Sequence, residues 1–118
     1  MGDSLLVMKF GGTSVGSPER MRGVADLAAQ LAASRPTVVV VSAMSKVTDL
    51  LLDTLRQGEA GDEQAVETGI QTLSDKHIGA ARELLPADRQ EAVIEQIKVI
   101  LVEIGFSADH FGIDFHAF

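Results

Sequence analysis

The sequence predicts an α/β fold, with a parallel βαβ unit followed by a larger helical part. Two apolar runs, residues 5–10 and 37–42, have the composition of strands, and an amphipathic pattern fills the segment between them. Because a strand, a helix and a second strand follow one another within about forty residues, the two strands are expected to pair in parallel. Helical periodicity then dominates the chain after residue 47.

The first helix has clear start and stop signals. Ser17 is the predicted N-cap, and Pro18 stands at the first helical position, where its missing N–H does no harm. Ser34-Arg35-Pro36 ends the helix. Apolar residues recur between these signals at spacings of three and four: Met21, Val24, Ala25, Ala28, Leu31 and Ala32.

The second strand is a continuous β-branched run, Thr37-Val38-Val39-Val40-Val41, that closes on Ser42. Apolar and polar residues do not alternate along it, as they would in a strand with one solvent-exposed face. This pattern is typical of a strand in the middle of a parallel sheet, so we expect it to be buried on both faces.

Three further helices are predicted. The first covers 47–57 and ends at Gly58, the second covers 63–85 and ends at Leu85-Pro86, and the third covers 88–104 and ends at Gly105. Their predicted inner faces are Val66, Ile70, Leu73, His77, Ala81 and Leu84 on the second, and Val93, Ile94, Ile97, Ile100, Leu101 and Ile104 on the third. Residues 106–118 fit no period, and they form a separate tail that is rich in phenylalanine and histidine.

Composition excludes several classes of function. The chain has 118 residues, 46% of them hydrophobic, and a net charge of −7 without any basic run, so nucleic acid is not an expected partner. No cysteine is present, which excludes disulfide and thiol chemistry and suits a cytoplasmic protein. Since no apolar run approaches the roughly 20 residues that span a bilayer, no membrane partner is expected either.

The most informative segment is Lys9-Phe10-Gly11-Gly12-Thr13-Ser14, between the first strand and the first helix. Glycines let backbone N–H groups approach a ligand closely, and a helix N-terminus favours negative charge. The order differs from the Walker pattern, in which lysine follows the loop. Here Lys9 precedes the glycines, where its ammonium can neutralise charge on a transferring phosphate. The sequence therefore predicts a phosphate-binding loop.

Hydroxyl side chains surround this loop in the sequence. Thr13 and Ser14 are expected either to donate to a ligand or to cap the first helix, and their positions do not decide between the two. Ser42 and Thr48 follow the second strand, on the edge where open α/β sheets bind ligands. Both hydroxyls are therefore well placed for a small polar substrate. A turn or capping role is the alternative for Ser45 and Thr48, and position alone does not decide between the two.

The histidines give weaker signals. His77 is interpreted as a core-edge residue of its helix rather than a catalytic base. Asp109-His110 and Asp114-His116 contain good metal ligands, but their spacing matches no metal motif, so no metal site is predicted.

Three segments together resemble the aspartokinases, members of the amino-acid-kinase fold family. They are Lys9–Ser14, the run Val38–Met44, and Val47-Thr48-Asp49. The resemblance extends from residue 5 to 57 in detail and to about 104 in general character. It implies that residues 1–104 are the N-terminal part of an amino-acid-kinase αβα sandwich and that 105–118 are a divergent tail.

The resemblance also implies an activity. Lys9, Phe10, Gly11 and Gly12 would contact the ATP phosphates, with Lys9 as the catalytic residue. Aspartate-binding roles would fall to Thr48, Ser42 and Ser14. The reaction would transfer the γ-phosphoryl group of ATP, with Mg²⁺ bridging the phosphates, to the side-chain carboxylate of L-aspartate. That step leads to lysine, threonine and methionine.

The chain departs from the family in length, because aspartokinases continue with an aspartate-binding glutamate segment, a nucleotide-binding half and regulatory domains. We expect this chain alone to be inactive and to self-associate through its long helical faces into a homo-oligomer. The alternatives are a non-catalytic, anion-binding or self-associating remnant, and a different amino-acid kinase that forms an acyl phosphate.

Overall fold

The computed structural model describes residues 4–111, with side chains through Gly105. The elements are β1 (Leu6–Phe10), α1 (Pro18–Ala32), β2 (Thr37–Val41), α2 (Val47–Glu59), α3 (Glu63–Leu84) and α4 (Ala87–Phe111). They fall into two compact units, residues 1–46 and 47–118. Both predicted strands and all four predicted helices are present.

The first unit is a βαβ unit. β1 and β2 pair in parallel, with Leu6 opposite Thr37 and Phe10 opposite Val41, and α1 contacts β2. α1 begins as predicted, with Ser17 Oγ accepting a hydrogen bond from the Arg20 amide and Pro18 in the first helical position. The parallel pairing brings the carboxyl ends of both strands to one edge of the sheet.

The prediction that β2 is buried on both faces is wrong for the described chain. Val38, Val39 and Val40 are 41–44% exposed and Val41 is 58% exposed. A β-branched run favours a buried strand, but its burial depends on neighbours that the run itself does not supply. Within residues 4–111, β2 pairs only with β1.

The second unit is a three-helix bundle in which α2, α3 and α4 each contact the other two. Its core holds the buried side chains Thr54, Val66, Leu73, Ala80, Ala81, Ile94 and Leu101. Leu73 and Ile94, each 1% exposed, are the largest side chains that are fully buried. The predicted inner faces are therefore largely confirmed, although Ile100 is 56% exposed.

Two helix ends differ from prediction. α2 runs past Gly58 to Glu59, and the turn into α3 is made by Gly61, whose φ of +80° is the left-handed conformation that glycine adopts without strain. Asp62 then caps α3 by accepting from the Ala65 amide at 3.0 Å. α4 continues through Gly105 to Phe111, and Gly105 does not adopt the left-handed conformation in which glycine commonly ends a helix.

His77 lies on α3, half-buried, and its Nδ1 donates to the Leu73 carbonyl at 2.7 Å. This contact confirms the interpretation of His77 as a core-edge residue. The residues Asp114-His116 lie outside the described residues, as do the side chains of Asp109 and His110.

Candidate functional site

The candidate site is built on two loops that leave the same edge of the sheet. The first, residues 11–17, connects β1 to α1, and the second, residues 42–46, follows β2. The Ser42 amide donates to the Phe10 carbonyl at 3.0 Å, so the strands stay paired up to the point where the loops begin. Polar groups from both strand ends are thereby brought to one place, as the sequence predicted.

The two loops pack closely against each other. A Cβ on Gly12 would lie 3.2 Å from the Ala43 carbonyl oxygen, and a Cβ on Gly16 would lie 3.0 Å from Ser45 Oγ. Both distances are tighter than ordinary van der Waals contact. A side chain at Gly12 or Gly16 would therefore press against the second loop, which would have to shift by a few tenths of an ångström. A Cβ on Gly11, by contrast, would meet nothing within 4 Å, which leaves open space for a ligand beside the first glycine.

The first loop keeps its amide groups available. Val15 donates to the Gly11 carbonyl at 3.2 Å and Gly16 to the Thr13 carbonyl at 3.3 Å, and these bonds fold the loop into a turn. Within the described chain, the preceding amides, those of residues 11–14, donate to no protein acceptor. Successive unpaired N–H groups in a turn can bind an anion where they converge.

Lys9 lies near the end of β1, two residues before the first residue of this loop. It is the fourth residue of β1 and its side chain is exposed. Among the described residues, its ammonium forms no ion pair, whereas the ion pairs of the second unit join lysines and arginines to nearby carboxylates. A cation without an acidic partner, in a chain of net charge −7, is free to meet an anionic ligand.

Two hydroxyls predicted for the substrate, those of Ser14 and Ser42, belong to this unit. Both side chains are exposed, and Ser42 Oγ would lie 3.9 Å from a Cβ on Gly12. The alternative that Thr13 or Ser14 caps α1 is wrong, because Ser17 holds that position. Thr48 belongs to the second unit, where it is the exposed second residue of α2 and therefore lies inside the helix.

Sequence reasoning missed two residues beside the loops. Arg20, in the first turn of α1, donates from Nη1 to the Thr13 carbonyl at 2.8 Å. Lys46 closes the second loop with a φ of +68°, which among residues 4–111 is the one positive φ outside glycine. Left-handed backbone at such a residue costs about 1 kcal/mol or more and is concentrated at functional sites. The Arg20 contact had no sequence signal, because it depends on how a long side chain folds back.

A model of the amino acid kinase family matches residues 4–112. The chain belongs to the amino acid kinase family. The α/β fold class inferred from the sequence is thereby confirmed, and the family match runs through both units of the chain.

Curated relatives within the family confirm the resemblance to aspartokinases. The bifunctional aspartokinase/homoserine dehydrogenase 1 of Arabidopsis thaliana is 38% identical over 96 residues, which cover 81% of this chain and 10% of that protein. The aspartate kinase of Pseudomonas fluorescens is 50% identical over 62 residues, covering 52% and 15%. Aspartokinase 2 of Bacillus subtilis is 33% identical over 105 residues, covering 88% and 22%. The chain thus spans between 10% and 22% of the length of these relatives.

The described residues contain no helix that could cross a membrane. They also form no cluster of three or more histidine and carboxylate side chains that could hold a metal ion.

Proposed function

We propose that this chain carries the phosphate-binding loop of an aspartokinase. In the parent reaction a side-chain carboxylate oxygen of L-aspartate attacks the γ-phosphorus of ATP. The bond to the β,γ-bridging oxygen breaks, and ADP leaves with that electron pair. The products are aspartyl β-phosphate and ADP. Such transfers depend on positioning and charge stabilisation rather than on covalent chemistry by the protein.

The observation that supports this proposal most is the run of unpaired amides at residues 11–14, which begins two residues after Lys9, a lysine without an ion pair among the described residues. The amides would hold phosphate oxygens, and the Lys9 ammonium would neutralise the charge that develops during transfer. Phe10, Gly11 and Gly12 are the other phosphate-contacting residues of the proposal. Ser14 and Ser42, with Thr48 from α2, are the proposed aspartate contacts.

Replacing Lys9 with alanine should weaken binding of Mg·ATP to the chain by about tenfold or more. A charge-assisted hydrogen bond contributes about 1.5–3 kcal/mol, which corresponds to roughly ten- to hundredfold in affinity. Isothermal titration of the purified chain with Mg·ATP, and separately with L-aspartate, measures the effect.

Lys98→Ala is the matched control, because it removes the same charge from α4, where Lys98 pairs with Glu95 at 3.7 Å. This variant should bind within about twofold of the wild type, since surface ion pairs contribute little. Equal losses in the two variants, or a folded wild-type chain without affinity for Mg·ATP, would refute the proposal.

A second proposal, self-association through a helical face, is favoured by a specific observation on α4. Val99 and Val102 are 58% and 71% exposed, and because they are three residues apart they lie on the same face of the helix. Neighbouring exposed apolar side chains are typical of interaction surfaces. We propose that two copies of the chain pack through this part of α4.

The paired substitution Val99→Lys with Val102→Lys should shift the chain from dimer towards monomer in sedimentation velocity. The lysines would place like charges across a two-fold interface, where each copy presents the same patch. The control is Ala87→Lys with Arg89→Glu, at the exposed start of the same helix, which should leave the sedimentation coefficient unchanged. A wild-type chain that is monomeric at high concentration would contradict this proposal.

A further inference from the structure

Arg20 makes an unusual contact for a residue in the first turn of a helix. Its guanidinium reaches back seven residues to donate from Nη1 to the Thr13 carbonyl at 2.8 Å. The same carbonyl accepts the Gly16 amide at 3.3 Å. Two donors therefore hold the Thr13 carbonyl of the loop: the Gly16 amide and the charged guanidinium of Arg20.

Helix stability does not explain this position for an arginine. The first turn of a helix favours negative charge, and a cation there is unfavourable. Glu19 supplies the favourable charge in the same turn of α1. The side chain of Arg20 is exposed. The interaction that Arg20 makes from this position is the hydrogen bond to the Thr13 carbonyl of the loop.

That bond fixes the direction of a neighbouring donor. The described chain contains no cis peptide bond, so the peptide between Thr13 and Ser14 is trans. In a trans peptide the C=O and the N–H point in opposite directions. Because the Thr13 carbonyl is held towards Arg20, the Ser14 N–H is directed away from it. This N–H has no protein acceptor among the described residues.

We propose that Arg20 is a positioning residue of the phosphate loop: by holding the Thr13 carbonyl it presents the Ser14 amide to a phosphate oxygen of ATP. The inference rests on the proposed function. It adds that the loop amides are oriented before the ligand arrives, by a side chain that lies outside the glycine motif. Preorganised donors cost no reordering when the ligand binds.

The test uses the ¹⁵N-labelled chain titrated with Mg·ATP, following the Ser14 amide resonance by NMR. Arg20→Ala should lower the affinity by about fivefold to tenfold, the amount expected for one lost hydrogen bond. The ligand-induced shift of the Ser14 amide should shrink in the same variant. Arg20→Lys keeps a charged donor and should bind within about threefold of the wild type.

Thermal unfolding separates this role from a structural one. A positioning residue leaves the melting temperature of Arg20→Ala close to that of the wild type, whereas a residue that merely supports the fold lowers melting and binding together. Arg22→Ala removes the same charge two residues further along α1 and should bind as the wild type does.

Each outcome is decisive. If Arg20→Ala binds as tightly as the wild type with an unchanged Ser14 shift, or if Arg22→Ala loses as much affinity, the inference is wrong while the proposed function stands. If the folded wild-type chain binds no Mg·ATP, the proposed function is wrong and the inference falls with it. A loss that Arg20→Lys restores, with the melting temperature unchanged, supports both.

Discussion

Gly69→Ala should destabilise the helical bundle by about 1 kcal/mol, although alanine is the better helix former. Gly69 is buried on α3, facing Thr54 of α2, which is 2% exposed. A Cβ on Gly69 would overlap Thr54 Oγ1 and lie 3.0 Å from Cγ2. The Thr54 hydroxyl is already engaged, because it donates a hydrogen bond to the Leu50 carbonyl at 2.7 Å. Overpacking costs about 1–3 kcal/mol or more, against roughly 1 kcal/mol gained in helix propensity.

Gly79→Ala is the matched control on the same helix. A Cβ on Gly79 would meet nothing within 4 Å, so this variant should gain about 0.5–1 kcal/mol from helix propensity alone. Urea unfolding followed by circular dichroism at 222 nm measures both. Adding Thr54→Ala to Gly69→Ala should recover part of the loss, because it removes the overlapping hydroxyl. If the two glycine variants behave alike, the close approach of α2 and α3 at Gly69 is wrong.

Leu73→Ala should cost more, about 3 kcal/mol within the usual range of 2–5 for buried leucine. Leu73 is 1% exposed, in the centre of α3, so the surrounding bundle can close the resulting cavity only in part. Small proteins have total stabilities of about 5–15 kcal/mol, and a three-helix unit of this size belongs near the lower end. We therefore expect a lower urea midpoint and a measurable unfolded fraction at 37 °C.

Leu52→Ala makes the same chemical change on α2, where Leu52 is 45% exposed. It should cost about 1 kcal/mol, since nearly half of this residue's surface is already in contact with water. Comparing the two leucines separates burial from side-chain identity. Equal losses would show that the bundle is not packed around Leu73.

Most elements of the fold could be predicted because their signals are local. Ser17-Pro18 specifies the start of α1 whatever surrounds it, and the spacing of Val66 and Leu73 fixes the inner face of α3. The end of α4 could not be predicted from Gly105, because a glycine permits the left-handed conformation that ends a helix without requiring it. The exposure of β2 also depends on tertiary neighbours, which a run of valines does not specify.

In the candidate site, too, some features could be predicted from the sequence and others could not. The order Lys9-Phe10-Gly11-Gly12 and the parallel pairing of two strands were enough to predict that the loop and Ser42 lie at one edge of the sheet. The contact from Arg20 to the Thr13 carbonyl follows from a rotamer, and no spacing rule indicates it. The conformation of Lys46 could not be predicted either, because its positive φ is imposed by the path of the second loop rather than by a preference of lysine.

The open side of β2 has a consequence for the chain in concentrated solution. Thr37–Val41 is a β-branched, uncharged segment that pairs on one side only within the described residues, and such segments template aggregation between molecules. Arg35 and Pro36 stand directly before it as gatekeepers, one charged and one without an N–H. Arg35 is also anchored, donating to the Ser4 carbonyl and hydroxyl at 2.9 and 2.8 Å. The charged residue beside the exposed strand is thus also the one that holds Ser4, two residues ahead of β1.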